Sequence, residues 1–154
     1  MIQKPERNTG HIIFLQLISP PGELAGNSRK WGDTPTDVKE AVVNMIINEG
    51  REAGLSDRDI AILLAIAYVE SGFNPDAAAL TSTAAGIGQF IKDTWSEYGE
   101  GDPFDTQANI RALIKEYIDI KNKVTKFGLS EDYIYINSIM MDWVAMNITK
   151  ILEV

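Results

Sequence analysis

The sequence predicts a mainly α-helical domain with a small irregular β or loop element around residues 77–88. Three observations carry this reading. Capping signals at Thr34-Pro35, Ser56-Asp57-Arg58-Asp59 and Asp105 each precede apolar residues at helical spacing. Every residue from Ile60 to Val69 is apolar or Tyr, the pattern of a central helix buried on most faces. Residues 76–89 are small and polar, with Gly86 and Gly88, and suit a loop or short hairpin better than a regular element.

Residues 1–32 are read as an N-terminal extension and linker. Lys4 and Arg7 precede the apolar stretch Ile12-Ile13-Phe14-Leu15-Gln16-Leu17-Ile18, which Pro20-Pro21-Gly22 breaks. A secretory signal needs a basic start and an apolar stretch of about 7–15 residues. This stretch sits at the lower limit and Gln16 interrupts it, so an arm packed on the domain and a linker to about Trp31 is the alternative. The charge changes sign at this boundary. Residues 1–32 carry four basic and two acidic side chains, and residues 33–154 carry ten and twenty.

The domain is expected to span residues 33–154. Thr34 is placed as a helix cap with Pro35 in the first turn, and Val38, Val42, Met45 and Ile46 follow, with Gly54 at the end. Ser56 and Asp59 form a capping box with Asp in place of Glu, opening a second helix over about 57–71 that Asn74-Pro75 stops. Phe90 to Tyr98 suits a short helix. Asp105 caps a long one over about 106–127, with Ile110, Leu113, Ile114, Tyr117, Ile118 and Val124 as its apolar positions and Gly128 as its end.

Residues 131–154 are atypical: apolar enough for a helix, but without a consistent 3.6-residue period. Read from the third base of the Ser138 codon, the genetic code forces Asp-Gly-Leu-Gly across Ile139 to Val144. A frameshifted tail and a divergent helix are both open on this pattern. The first predicts partial exposure of Met140, Trp143, Met146 and Ile148.

Composition narrows the function. The chain has 154 residues, 45% apolar and 23% charged, which fits one globular domain. There is no cysteine and one histidine, His11, so disulfides and thiolate metal sites are excluded and no metal or cofactor is expected. No apolar run reaches the roughly 18 residues of a membrane span. Acidic residues outnumber basic ones 22 to 14, for a net charge of −8, the opposite of what a nucleic-acid binder requires.

One ionisable residue stands out. Glu70 follows Ile66 by four residues and Leu63 by seven, so it shares their face at the C-terminal end of the apolar helix. Burial and the negative end of the helix dipole both favour a protonated carboxyl. A protonated carboxyl is what a general acid for glycosidic cleavage needs. A Glu that merely follows the helix end and points to water is the alternative.

The surroundings of Glu70 decide between these readings. Glu70, Ser71, Phe73, Asn74 and Pro75 form a first block. Gly86, Gly88, Gln89, Phe90 and Thr94 form a second, and Asn109, Ile110 and Tyr117 a third. In this order and spacing, over roughly residues 36–120, they resemble the soluble lytic transglycosylase family of the lysozyme superfamily, more narrowly its phage and mobile-element members. The resemblance implies a lysozyme-like α+β fold and cleavage of the bond between N-acetylmuramic acid and N-acetylglucosamine in peptidoglycan. It implies Glu70 as the sole catalytic acid and base, Ser71 as an orienting hydroxyl and Gln89 as a groove-lining side chain. Gly86 and Gly88 would let the backbone approach the glycan, or form a plain turn. Phe90 and Tyr117 are candidates for contacting substrate, with core packing as the alternative for each. The late Ala-Tyr-Asn-x-Gly motif of the family has no counterpart in residues 125–154.

The resemblance further implies action at the bacterial cell wall, as a monomer, with glycan strands as the partner. The net charge of −8 gives no attraction to anionic wall polymers, so delivery by a partner or a phage particle is expected. A muramidase on the same fold, and a non-catalytic glycan-binding or envelope-assembly module, are the alternatives. A muramidase would need a second carboxylate, for which Asp76, Asp93 and Glu97 are the next candidates downstream of Glu70.

Overall fold

The computed structural model describes residues 31–79 and 82–130. Four helices occur among them: α1 (Thr36–Glu52), α2 (Asp57–Ser71), α3 (Lys92–Tyr98) and α4 (Thr106–Lys126). The apolar faces of α1, α2 and α4 pack on one another, and α3 lies against α4. Val42 and Ile46 of α1, Leu63 and Ala67 of α2, and Ile110 and Leu113 of α4 meet in this core. The mainly helical class expected from the sequence is the one observed, with β pairing among the described residues limited to isolated bridges, Ala78 to Ala85 and Ala85 to Phe90.

The element boundaries follow from local chemistry. The Ser56–Asp59 capping box is present, with the Asp59 amide donating to Ser56 Oγ at 3.1 Å and the Ser56 amide to Asp59 Oδ2 at 3.2 Å. Asp105 Oδ1 accepts from the Ala108 amide at 2.8 Å and starts α4. Helices α1 and α4 both end in a left-handed glycine. Gly54 and Gly128 stand at φ +76° and +70°, each followed by a leucine amide that reaches back to the helix carbonyl five residues earlier.

Three expectations are corrected. Thr34 is not a cap: Pro35 takes the N-cap position without a side-chain bond, and Thr34 Oγ1 is buried without a partner. A residue before proline is pushed away from the helical region, and the ring already presets the entry to α1. Helix α2 stops at Gly72, left-handed at φ +60°, before Asn74-Pro75 is reached. Its apolar run, expected to be buried on most faces, is fully buried at only half of its ten positions, and Ala61, Tyr68 and Val69 face solvent.

The expectations for residues 1–30, including the signal or arm reading, lie outside the described residues. So do those for residues 131–154 and the exposure of Met140, Trp143, Met146 and Ile148.

Candidate active site

Glu70 is in the last turn of α2 and half-buried. Leu63 and Ile66, on the same helical face, are 0% and 8% exposed. Glu70 therefore continues the core-facing stripe of α2, yet keeps exposed surface at the level where the helix ends.

After Gly72 the chain runs back along a pinned loop. Phe73 also takes a left-handed backbone, φ +61°, which is costly for a bulky residue. Asn74 is fully buried, and its Oδ1 accepts from the Asp76 amide at 2.9 Å. The next residues pair with the glycine-containing turn: the Gly86 amide donates to Ala77 O at 2.8 Å and the Ala79 amide to Ala84 O at 3.1 Å. The segment that leaves Glu70 and the segment that carries Gln89 are thus joined directly.

Gln89 is half-buried with φ +48°, and its Nε2 donates to Ala77 O and Gly86 O, both at 2.9 Å. Both amide hydrogens are held by backbone carbonyls, which fixes the direction of the amide oxygen. Gln89 is therefore a brace across the turn as well as a candidate groove residue.

The remaining expected site residues face inward. Ser71 is 0% exposed and its hydroxyl donates to Ala67 O at 3.0 Å, so in this conformation it presents no surface to a sugar. Gly86 is buried at φ +76°, and a Cβ there would lie 2.4 Å from both Asn109 Nδ2 and Pro103 O. A Cβ on Gly88 would lie 2.7 Å from the Phe90 ring. Both glycines therefore make room for the protein's own interior. Phe90 is buried against Trp95, with ring centroids 5.7 Å apart.

Tyr117 is buried as well, and its hydroxyl donates to Asp59 Oδ1 at 2.7 Å. Asp59 is eleven residues before Glu70 on α2, about 16 Å along the axis. Tyr117 therefore belongs to the opposite end of the helix from Glu70. Its place is in the core because its ring points along the same face as Ile110 and Leu113. Burial disfavours the Asp59 carboxylate, but Lys121 at 2.8 Å, the Tyr117 hydroxyl and the Ser56 hydroxyl and amide outweigh it and hold the carboxyl well below the usual range.

Two positions beside the candidate site carry more than sequence reasoning assigned them. Asn109 is fully buried, and its Oδ1 accepts from the Gly88 amide at 2.8 Å while its Nδ2 donates to Pro103 O at 2.7 Å and Ala85 O at 3.2 Å. One side chain of α4 thus holds the turn that carries Gln89. Ile87 is 0% exposed and anchors the same turn in the core. A lone apolar residue between two glycines was the available signal for it. Asp76 is buried, while Asp93 and Glu97 are exposed on α3. Among the described residues, no group of three or more His, Asp or Glu side chains could hold a metal ion, and no helix is long and apolar enough to cross a membrane.

A helical core, a carboxyl at the exposed end of a buried helix and a braced glycine turn define a lysozyme-like helical domain. The transglycosylase SLT domain family matches residues 48–126, just over half of the sequence, and the chain belongs to that family. The matched span begins in α1 and ends with α4, so it includes Glu70, the turn and Asn109. Members of the family are lytic transglycosylases of peptidoglycan. No curated protein and no solved structure matches the chain.

Proposed function

We propose that this protein is a peptidoglycan lytic transglycosylase in which Glu70 is the single acid and base. Glu70 gives its proton to the oxygen linking N-acetylmuramic acid to N-acetylglucosamine, and the bond from the muramyl anomeric carbon to that oxygen breaks. The substrate's own N-acetyl group stabilises the cationic centre. Glu70 then takes the proton of the muramyl 6-hydroxyl as that oxygen bonds to the anomeric carbon, closing a 1,6-anhydro ring. The proton returns to its starting place and no water is consumed.

The observation that carries this reading is the position of Glu70: in line with the buried Leu63 and Ile66, but partly exposed where α2 ends. Partial exposure lets the carboxyl reach a glycosidic oxygen from a helix end held by the core. Ser71, Gly86, Gly88 and Phe90 support the site from behind, and Gln89 borders it. The wall is the site of action, reached through a delivery partner or particle.

Digestion of purified peptidoglycan followed by mass analysis tests the proposal. Anhydromuropeptides, lighter than hydrolysed muropeptides by one water, are the expected product. Reducing-end muramic acid alone would make the protein a muramidase, and absence of turnover would leave a glycan-binding module.

A further inference from the structure

We infer that Trp31, Gly32 and Asp33 form a strap that positions Glu70 by holding the last turn of α2; the inference rests on Glu70 as the catalytic group. A helix ends with four carbonyls that lack partners inside the helix. In α2 the Gly72 amide satisfies Tyr68 O at 2.9 Å and the Asn74 amide reaches Ser71 O at 3.1 Å. Trp31 Nε1 adds a donor to Tyr68 O at 2.8 Å and donates to Val69 O at 3.0 Å. The Gly32 amide adds a second donor to Ser71 O at 2.8 Å. Asn74 Nδ2, just beyond the helix, donates to Asp33 O at 3.3 Å. The backbone on both sides of Glu70 is therefore tied to a segment 37–41 residues earlier in the chain.

The approach is close enough to need a glycine at position 72, while Gly32 is favoured by its left-handed φ of +62°. A Cβ on Gly72 would stand 2.6 Å from Gly32 Cα and 2.7 Å from Gly32 N. The rings add a second grip. Trp31 meets Tyr68 edge-on at 5.2 Å, and Tyr68 meets Phe73 at 5.8 Å, so the aromatic contacts run from two residues before Glu70 to three after it.

The strap contributes little to the core. Trp31 is 52% exposed and stands apart from the core cluster. Its two carbonyl bonds act locally, on the direction in which the last turn presents its side chains. Trp31 is thus a positioning residue: losing its N–H takes the strap's donor from Val69 O and Tyr68 O without emptying the core. A displacement of about 1 Å at a reacting group is enough to cost on the order of a hundredfold in rate.

Trp31→Phe in the full chain keeps an aromatic ring on Tyr68 and removes the donor. The expected result is a fall of about tenfold in kcat on a soluble glycan oligomer, with KM within about twofold and Tm within about 3 °C of wild type. An unchanged kcat, or a rise in KM alone, would overturn the strap. Hydrogen exchange on the wild-type protein gives a second reading that no folding defect can confuse. The Gly32 amide should be protected as strongly as that of Gly72, and a Gly32 amide exchanging at the rate of a free peptide would overturn the inference. Glu70→Gln separates the two layers. Full turnover in that variant refutes the catalytic reading, whereas the exchange measurement reports on strap docking alone.

Discussion

Asn109 Oδ1 and the Gly88 amide meet at 2.8 Å, and through this bond α4 sets the turn that carries Gln89. Removing the side chain in Asn109→Ala leaves the part-buried Gly88 amide and Pro103 carbonyl without this partner, and leaves the Ala85 carbonyl with the Phe90 amide alone. Each unsatisfied buried group costs about 1–3 kcal/mol. The variant should lose at least about 2 kcal/mol of stability in denaturant unfolding, on the same scale. Asn109→Asp keeps the acceptor for Gly88 but sets a carboxylate oxygen against two carbonyls, so it should be no better than the alanine variant. Wild-type unfolding in Asn109→Asp would show that the Nδ2 bonds contribute nothing.

Glu70→Gln preserves shape and removes the proton. General acid–base groups are worth typically about 10²–10⁴-fold in rate, so turnover of purified peptidoglycan should fall by at least about a hundredfold. Far-UV circular dichroism and the unfolding midpoint should match wild type, because the change keeps the side chain's volume at a partly exposed position on a helix end. A variant retaining more than about a tenth of wild-type turnover would remove Glu70 from the chemistry.

Gly86→Ala separates backbone strain from crowding. Gly86 and Gly54 share φ +76°, but a Cβ at Gly54 meets nothing within 4 Å, whereas one at Gly86 lies 2.4 Å from Asn109 Nδ2 and Pro103 O. Gly54→Ala should therefore cost only the left-handed backbone, roughly 1–2 kcal/mol. Gly86→Ala should cost that and about 1–3 kcal/mol of overpacking besides. Equal unfolding midpoints for the two variants would show that the turn yields without resistance.

The signals that read correctly from sequence were local ones. Ser56 with Asp59, Asp105 at the start of α4, and Gly54 and Gly128 at helix ends each act within a few residues, so spacing alone exposes them. Glu70 at the end of a core-facing stripe was legible for the same reason. What sequence could not supply were bonds between distant positions: the Tyr117 hydroxyl reaches Asp59 across 58 residues, and the Trp31 indole reaches Tyr68 across 37. Tyr117 at helical register fits a groove or a core equally well until its partner is known. Trp31 looks like the end of a linker until its indole is seen to donate to the carbonyls at the end of α2. The glycines were legible as turn residues, but not the side of the turn that needed the space.

The Asp59 cluster gives the domain a specific acid response. Burial works against the ionised carboxylate, and the Lys121 ammonium at 2.8 Å, the Tyr117 hydroxyl at 2.7 Å and the Ser56 hydroxyl and amide together overcome it, so the folded-state pKa is depressed from 3.8. In such a case the unfolded chain binds the proton more readily than the folded one. The stabilisation is fully present above the ordinary value and is lost as pH falls from about 4 toward the depressed folded-state value. Other carboxylates titrate in the same window, so the measurement must be a comparison. Tyr117→Phe removes one bond to the carboxylate and should cost about 2 kcal/mol at pH 7. With that bond gone the folded-state pKa rises toward 3.8, so the stability of Tyr117→Phe should fall less steeply than wild type between pH 4 and pH 2, within the carboxylate range. Urea unfolding of both proteins at several pH values reads the two slopes. Parallel slopes would mean that the Tyr117 hydroxyl does not sense the charge on Asp59.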